Sequence, residues 1–235
     1  MDHVKKHWDS QARRFGNSFR SSWGDEFMMS IEEDVIKGNI LPTDSVLDVG
    51  CATGFVLDNI NAAHKCGIDF SEEMVIAADN DNINVGDARN IAYPNNSFDV
   101  VYTVRCLINL PTWEEQSTAL SECIRVAKRR VIISEAFYEP LQRLNAIRQI
   151  AGLPLLVEHD FNRYIKKNKL EDFLKEYNYK RVNFSGVYYL GSRFIREAVS
   201  DLSDYTNDIN GYFYYLAKEW SNDDFGIQAA YIIDL

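Results

Sequence analysis

The sequence predicts an α/β fold in which seven short strands alternate with helices and insertions. Apolar runs rich in β-formers recur between residues 41 and 135, with helical segments between them. The first three of these runs carry an acid at or near their ends, beside a turn. In open α/β sheets, ligands bind outside the carboxyl ends of the strands, so we expect a ligand site where these acids gather.

The turn after the first strand is the most informative segment. The strand Val46–Val49 contains Asp48 and leads into the run Gly50-Cys51-Ala52-Thr53-Gly54, after which a helix begins at Phe55. Small residues at alternate positions leave room for a ligand against the backbone. The helix N-terminus adds free N–H groups and the positive end of a dipole. The segment therefore predicts a site for a nucleotide-like ligand.

The spacing of the small residues separates this turn from a dinucleotide-binding turn. The dinucleotide fingerprint has its third small residue five positions after the first, where this chain has Phe55. Asp48 is a second difference, because an acid beside the turn suits a ligand with an ammonium group and hydroxyls better than a pyrophosphate. An NAD oxidoreductase is therefore disfavoured.

The next strands place more acids at the same edge. The second strand, Lys65–Asp69, ends in an acid, and Ser71 follows as the N-cap of a helix. An acid at this position is placed to grip the hydroxyls of an adenosine ribose. The third strand ends in Gly86-Asp87, and a fourth strand covers residues 97–104.

These motifs resemble those of class I S-adenosylmethionine-dependent methyltransferases over roughly residues 40–135. The string Asp48-x-Gly50-x-Ala52-x-Gly54 resembles the nucleoside-binding signature of that family, with Ala52 in place of its usual middle glycine. The resemblance implies a Rossmann-like, mostly parallel seven-stranded sheet flanked by helices, with one antiparallel strand near its edge. It also implies S-adenosylmethionine as cofactor, S-adenosylhomocysteine as product, and Asp87 facing the adenine amino group. The residues predicted to bind the cofactor are Asp48, Gly50, Ala52, Thr53, Gly54, Asp69, Phe70, Met74, Asp87, Ala88, Arg105 and Cys106.

The first 40 residues predict an amphipathic helical segment, because aromatic residues recur there at helical spacings. In the family that the chain resembles, such a segment packs over the cofactor as a lid. A helix that merely covers the sheet edge is the alternative. We therefore divide the chain into a lid, residues 1–40, and a methyltransferase domain, residues 41–235.

The remaining pattern predicts a long helix, Pro111–Val126, followed by the fifth strand, Arg130–Glu135. A short helix, Leu170–Tyr177, then precedes the sixth strand, Tyr179–Val187, and the seventh strand is Gln228–Ile233. Two insertions, at about 137–169 after the fifth strand and 188–225 before the seventh, should supply the substrate site, because the core is committed to the cofactor. Short motifs in them are similar to a branch of bacterial methyltransferases associated with surface-polysaccharide and sugar biosynthesis.

A hydroxyl acceptor must lose its proton during methyl transfer, so a base would accelerate the reaction. His159 is the first candidate, because imidazole titrates near neutral pH and Glu158 and Asp160 flank it. His3 and His7 are alternatives. An amine acceptor needs no dedicated base, so O- and N-methylation both remain open. The residues predicted to bind the acceptor are Asn162, Tyr164, Tyr188 and Tyr189.

Composition limits the class of partner. The net charge of −10 argues against a nucleic-acid partner, which would need clustered Lys and Arg. No apolar run approaches the length of a membrane span, and the N-terminus lacks a signal-peptide core, so we expect a cytoplasmic protein with no membrane contact. The four cysteines lack metal-type spacing and predict reduced thiols. We expect no metal.

The sequence thus favours a cytoplasmic methyltransferase that uses S-adenosylmethionine and acts on a small molecule, most plausibly a hydroxyl of a sugar, nucleotide-sugar or polysaccharide precursor. One alternative is an N- or O-methyltransferase of a secondary metabolite or of a phosphorus-containing capsule group. The alternative outside enzymes is an inactive scaffold subunit that binds the cofactor. Retention of the acids Asp48, Asp69 and Asp87 argues against that scaffold.

Overall fold

A seven-stranded sheet lies at the centre of the computed structural model, which describes residues 2–199, 206–220 and 225–235. The strand order is β3-β2-β1-β4-β5-β7-β6. The strands are β1 Ser45–Val49, β2 His64–Asp69, β3 Ile83–Val85, β4 Phe98–Val104, β5 Ala127–Ala136, β6 Asn178–Asn183 and β7 Gln228–Asp234. Strands β1 to β5 pair in parallel, whereas β7 is antiparallel to both β5 and β6. The predicted Rossmann-like sheet, with one antiparallel strand near its edge, is confirmed.

Helices cover both faces of this sheet. They are α1 Asp2–Phe15, α2 Glu26–Lys37, α3 Phe55–Asn59, α4 Glu72–Ala78, α5 Trp113–Val126, α6 Tyr138–Ile150, α7 Lys167–Phe173, α8 Gly186–Leu190, α9 Arg196–Ala198 and α10 Thr206–Glu219. Short 3-10 turns lie at Phe19–Ser21 and Leu107–Asn109, and a π turn, Gly191–Ile195, joins α8 to α9. None of the described helices is long and apolar enough to cross a membrane.

The central strands are buried on both faces, which explains their continuous apolar runs. In β1, Leu47 and Val49 belong to the core on one face, and Val46 belongs to the core on the other face. In β4, Val101 belongs to the same core as Leu47, and Val100 belongs to the same core as Val46. Alternation along a strand therefore fixes which side chains meet which layer of helices.

Polar side chains begin several helices as the sequence predicts. The Ser71 hydroxyl accepts a hydrogen bond from the Met74 N–H at the start of α4, which confirms the predicted N-cap. Asp25 accepts in the same way from Met28 at the start of α2. Each such cap satisfies an N–H that has no partner within its helix.

The N-terminal segment is helical, as predicted for residues 1–40, and it forms two helices. The 3-10 turn Phe19–Ser21 separates α1 from α2. Helix α1 packs against α4, where Asp9 accepts a 2.5 Å hydrogen bond from the Ser71 hydroxyl and Arg13 pairs with Glu73 at 3.0 Å. The segment is thereby tied to the helix that follows β2.

The end of the sixth strand was predicted wrongly. Strand β6 stops at Asn183 instead of continuing to Val187, and α8 begins at Gly186. The Ser185 hydroxyl donates a 2.6 Å hydrogen bond to the Gln228 carbonyl, and this bond turns the chain away from the sheet. The turn lets Tyr188 and Tyr189 pack into the core. The predicted short helix is also displaced, because α7 starts at Lys167 rather than Leu170.

The two predicted insertions differ in how fully the structure describes them. The first, 137–169, opens with the regular helix α6 and continues as an irregular segment to α7. The second, 188–225, contains the end of α8, the π turn, α9 and α10. Its residues 200–205 and 221–224 lie outside the described part of the chain.

Candidate active site

A cavity of about 440 Å³ lies at the carboxyl edge of strands β1, β2 and β4. We call it the central cavity. The residues that line it come from the N-terminal segment, from the ends of the first four strands and the segments that follow them, from the first insertion, and from α8 and β7. From the turns after the strands come Gly50, Ala52, Asp69, Phe70, Met74, Asp87, Ala88, Arg105 and Cys106. These nine residues are among those that the sequence predicted to bind the cofactor.

The turn after β1 has the tight backbone that its sequence predicted. Gly50 has a φ of +79°, and a Cβ atom there would lie 2.5 Å from the Cys106 Sγ. Gly54, with a φ of +83°, begins α3. Ala52 takes a φ of +50°, which is uncommon for a residue with a side chain. Its N–H donates a 2.8 Å hydrogen bond to Asp69 Oδ2, and this bond supports the unusual backbone.

Asp69 joins the turns that follow β1 and β2. Its Oδ2 accepts from the Ala52 N–H, and its Oδ1 accepts from the Ser71 N–H at 2.9 Å. An ionised carboxylate has about four acceptor sites, so each oxygen keeps a lone pair beyond these bonds. Burial raises the pKa of Asp69 to about 6, although both N–H donors act in the opposite direction. A buried acceptor with spare capacity therefore faces the central cavity.

Asp87 lies after β3 in a more open position. Its carboxylate pairs with Arg89 at 2.7 Å, and Arg89 pairs in turn with Glu115 at 2.5 Å. The hydrogen bonds from Arg89 lower the pKa of Asp87, so this carboxylate stays ionised. The Arg89 contact fixes Asp87 at the rim of the cavity.

Three residues predicted to bind the cofactor do not line the cavity: Asp48, Thr53 and Gly54. Asp48 lies on the same face of β1 as Val46, away from the core that contains Leu47 and Val49. Burial raises the pKa of Asp48 to about 8, whereas the Tyr102 hydroxyl acts to lower it. Its Oδ1 makes no hydrogen bond to the described residues. Thr53 is buried, with its hydroxyl 3.5 Å from that of Ser21. Their roles remain predictions.

Glu135, at the end of β5, organises the loop after β4 and was missed by the sequence reasoning. The side chain is fully buried, and its Oε1 accepts from the N–H groups of Cys106 and Leu107 at 3.0 and 2.9 Å. The same oxygen accepts from the Thr103 hydroxyl at 3.1 Å, and Oε2 lies 3.4 Å from the Ile108 N–H. The signal was an acid at the end of an apolar strand, the same signal that identified Asp69.

The predicted acceptor residues mostly gather in one region. Asn162, Tyr164 and Tyr189 line the central cavity, but Tyr188 does not. The Tyr188 hydroxyl donates a 2.6 Å hydrogen bond to Asp25 at the start of α2. Trp23, which belongs to the N-terminal segment, also lines the cavity. The lid segment and the first insertion thus share its walls.

His159 lies at the exposed rim of the cavity. Its ring stacks on Phe161, with centroids 5.0 Å apart, and lies 5.8 Å from the ring of His7 on α1. Burial and the nearby His159 lower the pKa of His7. Among the described contacts, the imidazole of His159 is held by these rings and not by Glu158 or Asp160. His3 also reaches this cluster, 6.5 Å from Phe161.

The chemistry of the cavity differs from that of a metal site. Within residues 2–199, 206–220 and 225–235, no group of three or more His, Cys, Asp or Glu side chains is arranged to hold a metal ion. The four cysteines are free thiols, as predicted. Burial raises the pKa of the Cys106 thiol, so this cavity-lining residue is a neutral filler rather than a nucleophile.

Comparison with known proteins places the strand and turn region in a family. Residues 47–134 match the family described as Methyltransferase domain. An uncharacterized protein of Methanocaldococcus jannaschii is 31% identical over 99 residues, which are 41% of this chain and 37% of that protein. Phosphoethanolamine N-methyltransferase 1 of Arabidopsis thaliana is 35% identical over 109 residues, or 42% of this chain and 22% of that protein. The chain therefore matches well under half the length of either relative.

Solved structures share the fold over most of the chain. One is a Thermotoga maritima S-adenosylmethionine-dependent methyltransferase described as a possible histamine N-methyltransferase. It has a TM-score of 0.59 and 16% identity, and the match covers 100% of this chain and 99% of that one. Another is magnesium protoporphyrin IX methyltransferase of Synechocystis with bound S-adenosylhomocysteine. Its TM-score is 0.52 at 19% identity, and the match covers 88% and 81% of the two chains.

The family match covers residues 47–134, and the fold is the one that the methyltransferase structures above share with this chain. One of those structures holds S-adenosylhomocysteine, the demethylated form of S-adenosylmethionine. The residues present fit this group, because the spare acceptor capacity of Asp69 suits a ribose diol and the close turn at Gly50 leaves backbone exposed to a ligand.

Proposed function

We propose that this chain transfers a methyl group from S-adenosylmethionine to a small-molecule acceptor. The observation that carries the proposal is that one cavity is lined both by the turns of the methyltransferase domain and by residues of the first insertion, such as Asn162 and Tyr164. A cofactor and an acceptor can therefore meet in one enclosure. Holding two reactants in line in this way supplies much of the rate acceleration of such a transfer.

The residues of the chain have separable tasks in this proposal. The bound cofactor supplies an electrophilic methyl group. Asp69 would hold its ribose, Asp87 would hold its adenine, and the backbone at Gly50 and Ala52 would leave room for it. Trp23, together with residues of the first insertion, orients the acceptor and excludes water.

The acceptor that the sequence favours is a hydroxyl of a sugar, nucleotide-sugar or polysaccharide precursor. The rings of Trp23, Tyr164 and Tyr189 support this proposal, because aromatic side chains suit the flat apolar faces of sugars. His159 would be the base that takes the hydroxyl proton. We further propose that the protein is cytoplasmic and acts without a nucleic-acid or membrane partner, as its net charge of −10 suggests.

An amine acceptor is the second candidate. Two similar proteins carry names of N-methyltransferases, one firmly and one as a possibility. Moreover, His159 is exposed and has no carboxylate hydrogen-bonded to its ring among the described contacts. An unprotonated amine can attack without a dedicated base, so this arrangement suits it.

S-adenosylhomocysteine and S-adenosylmethionine should both bind the protein, and NAD should not. The physical reason is that Phe55 takes the place of the third small residue of a dinucleotide turn, while Asp69 offers acceptors to a ribose diol. Titration calorimetry with each ligand measures this directly. Tight binding of NAD with none of S-adenosylhomocysteine would contradict the proposed function.

Replacement of His159 should distinguish a hydroxyl acceptor from an amine acceptor. If the acceptor is a hydroxyl and His159 its base, His159→Ala should lower turnover by roughly 10²-fold or more, the usual contribution of a positioned base. The affinity for S-adenosylhomocysteine should not change, because His159 lies at the rim contributed by the first insertion.

His64→Ala is the matched control, because His64 is exposed at the start of β2, at the edge of the sheet opposite the cavity. Nearly normal turnover by His159→Ala would remove the base assignment. Assays of nucleotide-sugars and amines with the same variant would then show whether the acceptor is an amine or whether His3 or His7 supplies the base.

A further inference from the structure

Arg105 lines the central cavity, and neighbouring side chains hold its guanidinium in place. Its guanidinium lies over the Trp23 ring at 4.3 Å, and its Nε is 3.0 Å from Glu32 Oε2. Glu32 is fully buried, and its Oε1 accepts a 3.3 Å hydrogen bond from the Ser134 hydroxyl. Burial raises the pKa of Glu32, whereas the Arg105 charge acts to keep it ionised. One buried carboxylate and one indole ring thus fix the direction of the guanidinium.

The outer edge of this guanidinium is free. Within the described part of the chain, the buried Nε forms an ion pair with Glu32 but makes no hydrogen bond, the guanidinium face lies over the Trp23 ring, and neither Nη1 nor Nη2 has a hydrogen-bond partner. The two terminal nitrogens, Nη1 and Nη2, therefore open into the cavity that Arg105 lines. Two parallel N–H groups in this arrangement match the two oxygens of a carboxylate or phosphate.

Two phenols share the central cavity with this fork. Tyr164 and Tyr189 line the same cavity, and neither hydroxyl has a hydrogen-bond partner among the described residues or is closed off from the cavity. Burial raises the pKa of both phenols, so both are neutral donors at physiological pH.

Arg105 follows a strand on the other side of β1 from the acids assigned to the cofactor. Asp69 and Asp87 follow β2 and β3, on one side of β1. Arg105 follows β4 and reaches Glu32, which is bonded to Ser134 of β5, on the other side. A group held by this fork therefore lies toward the half of the sheet that the adenosine contacts do not use.

We infer that Arg105, with the hydroxyls of Tyr164 and Tyr189, binds an anionic group, a carboxylate or a phosphate, of the methyl acceptor. This inference rests on the proposed function and narrows it to acidic acceptors. It also moves Arg105 from the cofactor, where the sequence placed it, to the acceptor. Glu32 acts as a positioning residue, because it orients the guanidinium without reaching the acceptor.

Binding of simple anions to the protein saturated with S-adenosylhomocysteine tests the inference. The probes are benzoate and phenyl phosphate, with benzamide as the neutral analogue, in titration calorimetry. At least one anion should bind tenfold or more tightly than benzamide, and comparison of the two anions shows whether the site prefers a carboxylate or a phosphate. Arg105→Lys keeps a charge beside Glu32 but loses the fork, so it should lower this preference about tenfold and change S-adenosylhomocysteine affinity less than twofold.

Two further variants serve as controls for the binding experiment. Arg20→Lys is the matched control, because Arg20 also lines the cavity but is exposed, and it should keep the preference for anions. The double variant Glu32→Gln/Arg105→Met removes the buried charge pair as a unit. It should fold, bind S-adenosylhomocysteine and treat benzoate and benzamide alike.

Three results decide the matter. If benzamide binds the parent as well as both anions do, or if none of the three binds, the inference is overturned. If Arg105→Lys loses affinity for S-adenosylhomocysteine about tenfold while the anion preference persists, the fork holds the carboxylate of the cofactor instead. Failure of the parent to bind S-adenosylhomocysteine at all would contradict the proposed function itself, and the same titrations without that ligand would still report on the fork.

Discussion

Glu135→Ala is expected to destabilise the protein by about 3–5 kcal/mol, because three donors lose their acceptor at about 1–3 kcal/mol each. The carboxylate accepts hydrogen bonds from the N–H groups of Cys106 and Leu107 and from the Thr103 hydroxyl. The variant leaves these donors buried without partners, and a buried unsatisfied donor costs about 1–3 kcal/mol. Urea unfolding followed by circular dichroism measures the change.

The same variant should also weaken ligand binding, because Glu135 holds the loop that carries Arg105 and Cys106 into the cavity. Glu139→Ala is the matched control. Glu139 accepts a single hydrogen bond, from the Lys167 N–H at 3.0 Å, and lies outside the cavity. It should cost about 1 kcal/mol, the usual value for one hydrogen bond, and leave S-adenosylhomocysteine affinity unchanged. Equal losses of stability in the two variants would show that Glu135 does not organise the loop.

The parts of this fold that the sequence predicted are those determined within one contiguous segment. The strand, turn and helix around Gly50 follow from neighbouring residues, because apolar runs, small residues and helix caps act locally. Asp69 could be placed for the same reason, since the end of a parallel strand is an edge position in any such sheet. The structure brings Asp69 to the cavity wall as the pattern indicated.

The features of the fold and the site that the sequence did not predict depend on how distant segments pack. Glu32 looks like any charge on an amphipathic helix, and only the approach of α2 to β5 makes it a buried partner of Arg105. The side-chain direction of Arg105 depends on its φ of +53°, which no local pattern reveals. The sequence could place this arginine in the cavity, but it could not say which ligand the side chain faces.

The end of β6 illustrates the same limit in the fold itself. Phe184 and Val187 favour a strand by local propensity, although Ser185 and Gly186 between them do not. Tertiary packing overrides that preference, because the Ser185 bond to the Gln228 carbonyl and the burial of Tyr188 and Tyr189 require a helix there.

Asp69→Asn should weaken S-adenosylhomocysteine binding tenfold or more at pH 7. The parent carboxylate serves the Ala52 and Ser71 N–H groups with one oxygen each and still has lone pairs for a ribose diol. The amide has one acceptor oxygen, so it cannot serve both turns and the ribose. Hydrogen bonds to a charged acceptor are worth about 1.5–3 kcal/mol each, which corresponds to at least a tenfold change in Kd for the loss of one. Titration calorimetry gives the two affinities.

The matched control carries the same Asp-to-Asn substitution at a position away from the cavity. Asp99 provides it, because its Oδ2 accepts from the Ser45 N–H at 2.8 Å and from the Ser45 hydroxyl at 2.7 Å, at the opposite edge of the sheet. Asp99→Asn should lose a similar amount of stability, about 1–3 kcal/mol for a disturbed charged hydrogen-bond pair. Its affinity for S-adenosylhomocysteine should equal that of the parent.

The pH dependence of binding gives a second, independent measurement of the role of Asp69. Burial raises the pKa of Asp69 to about 6, and the ionised form is the one that accepts from both turns and the ribose. The affinity of the parent should therefore be full above that pKa and fall as the pH drops from 7 to 5. Asp69→Asn has no proton to gain, so its weaker affinity should stay flat over this window, while Asp99→Asn should follow the parent. If Asp69→Asn binds as tightly as the parent at pH 7, Asp69 only braces the two turns, and the ribose must be held by another group.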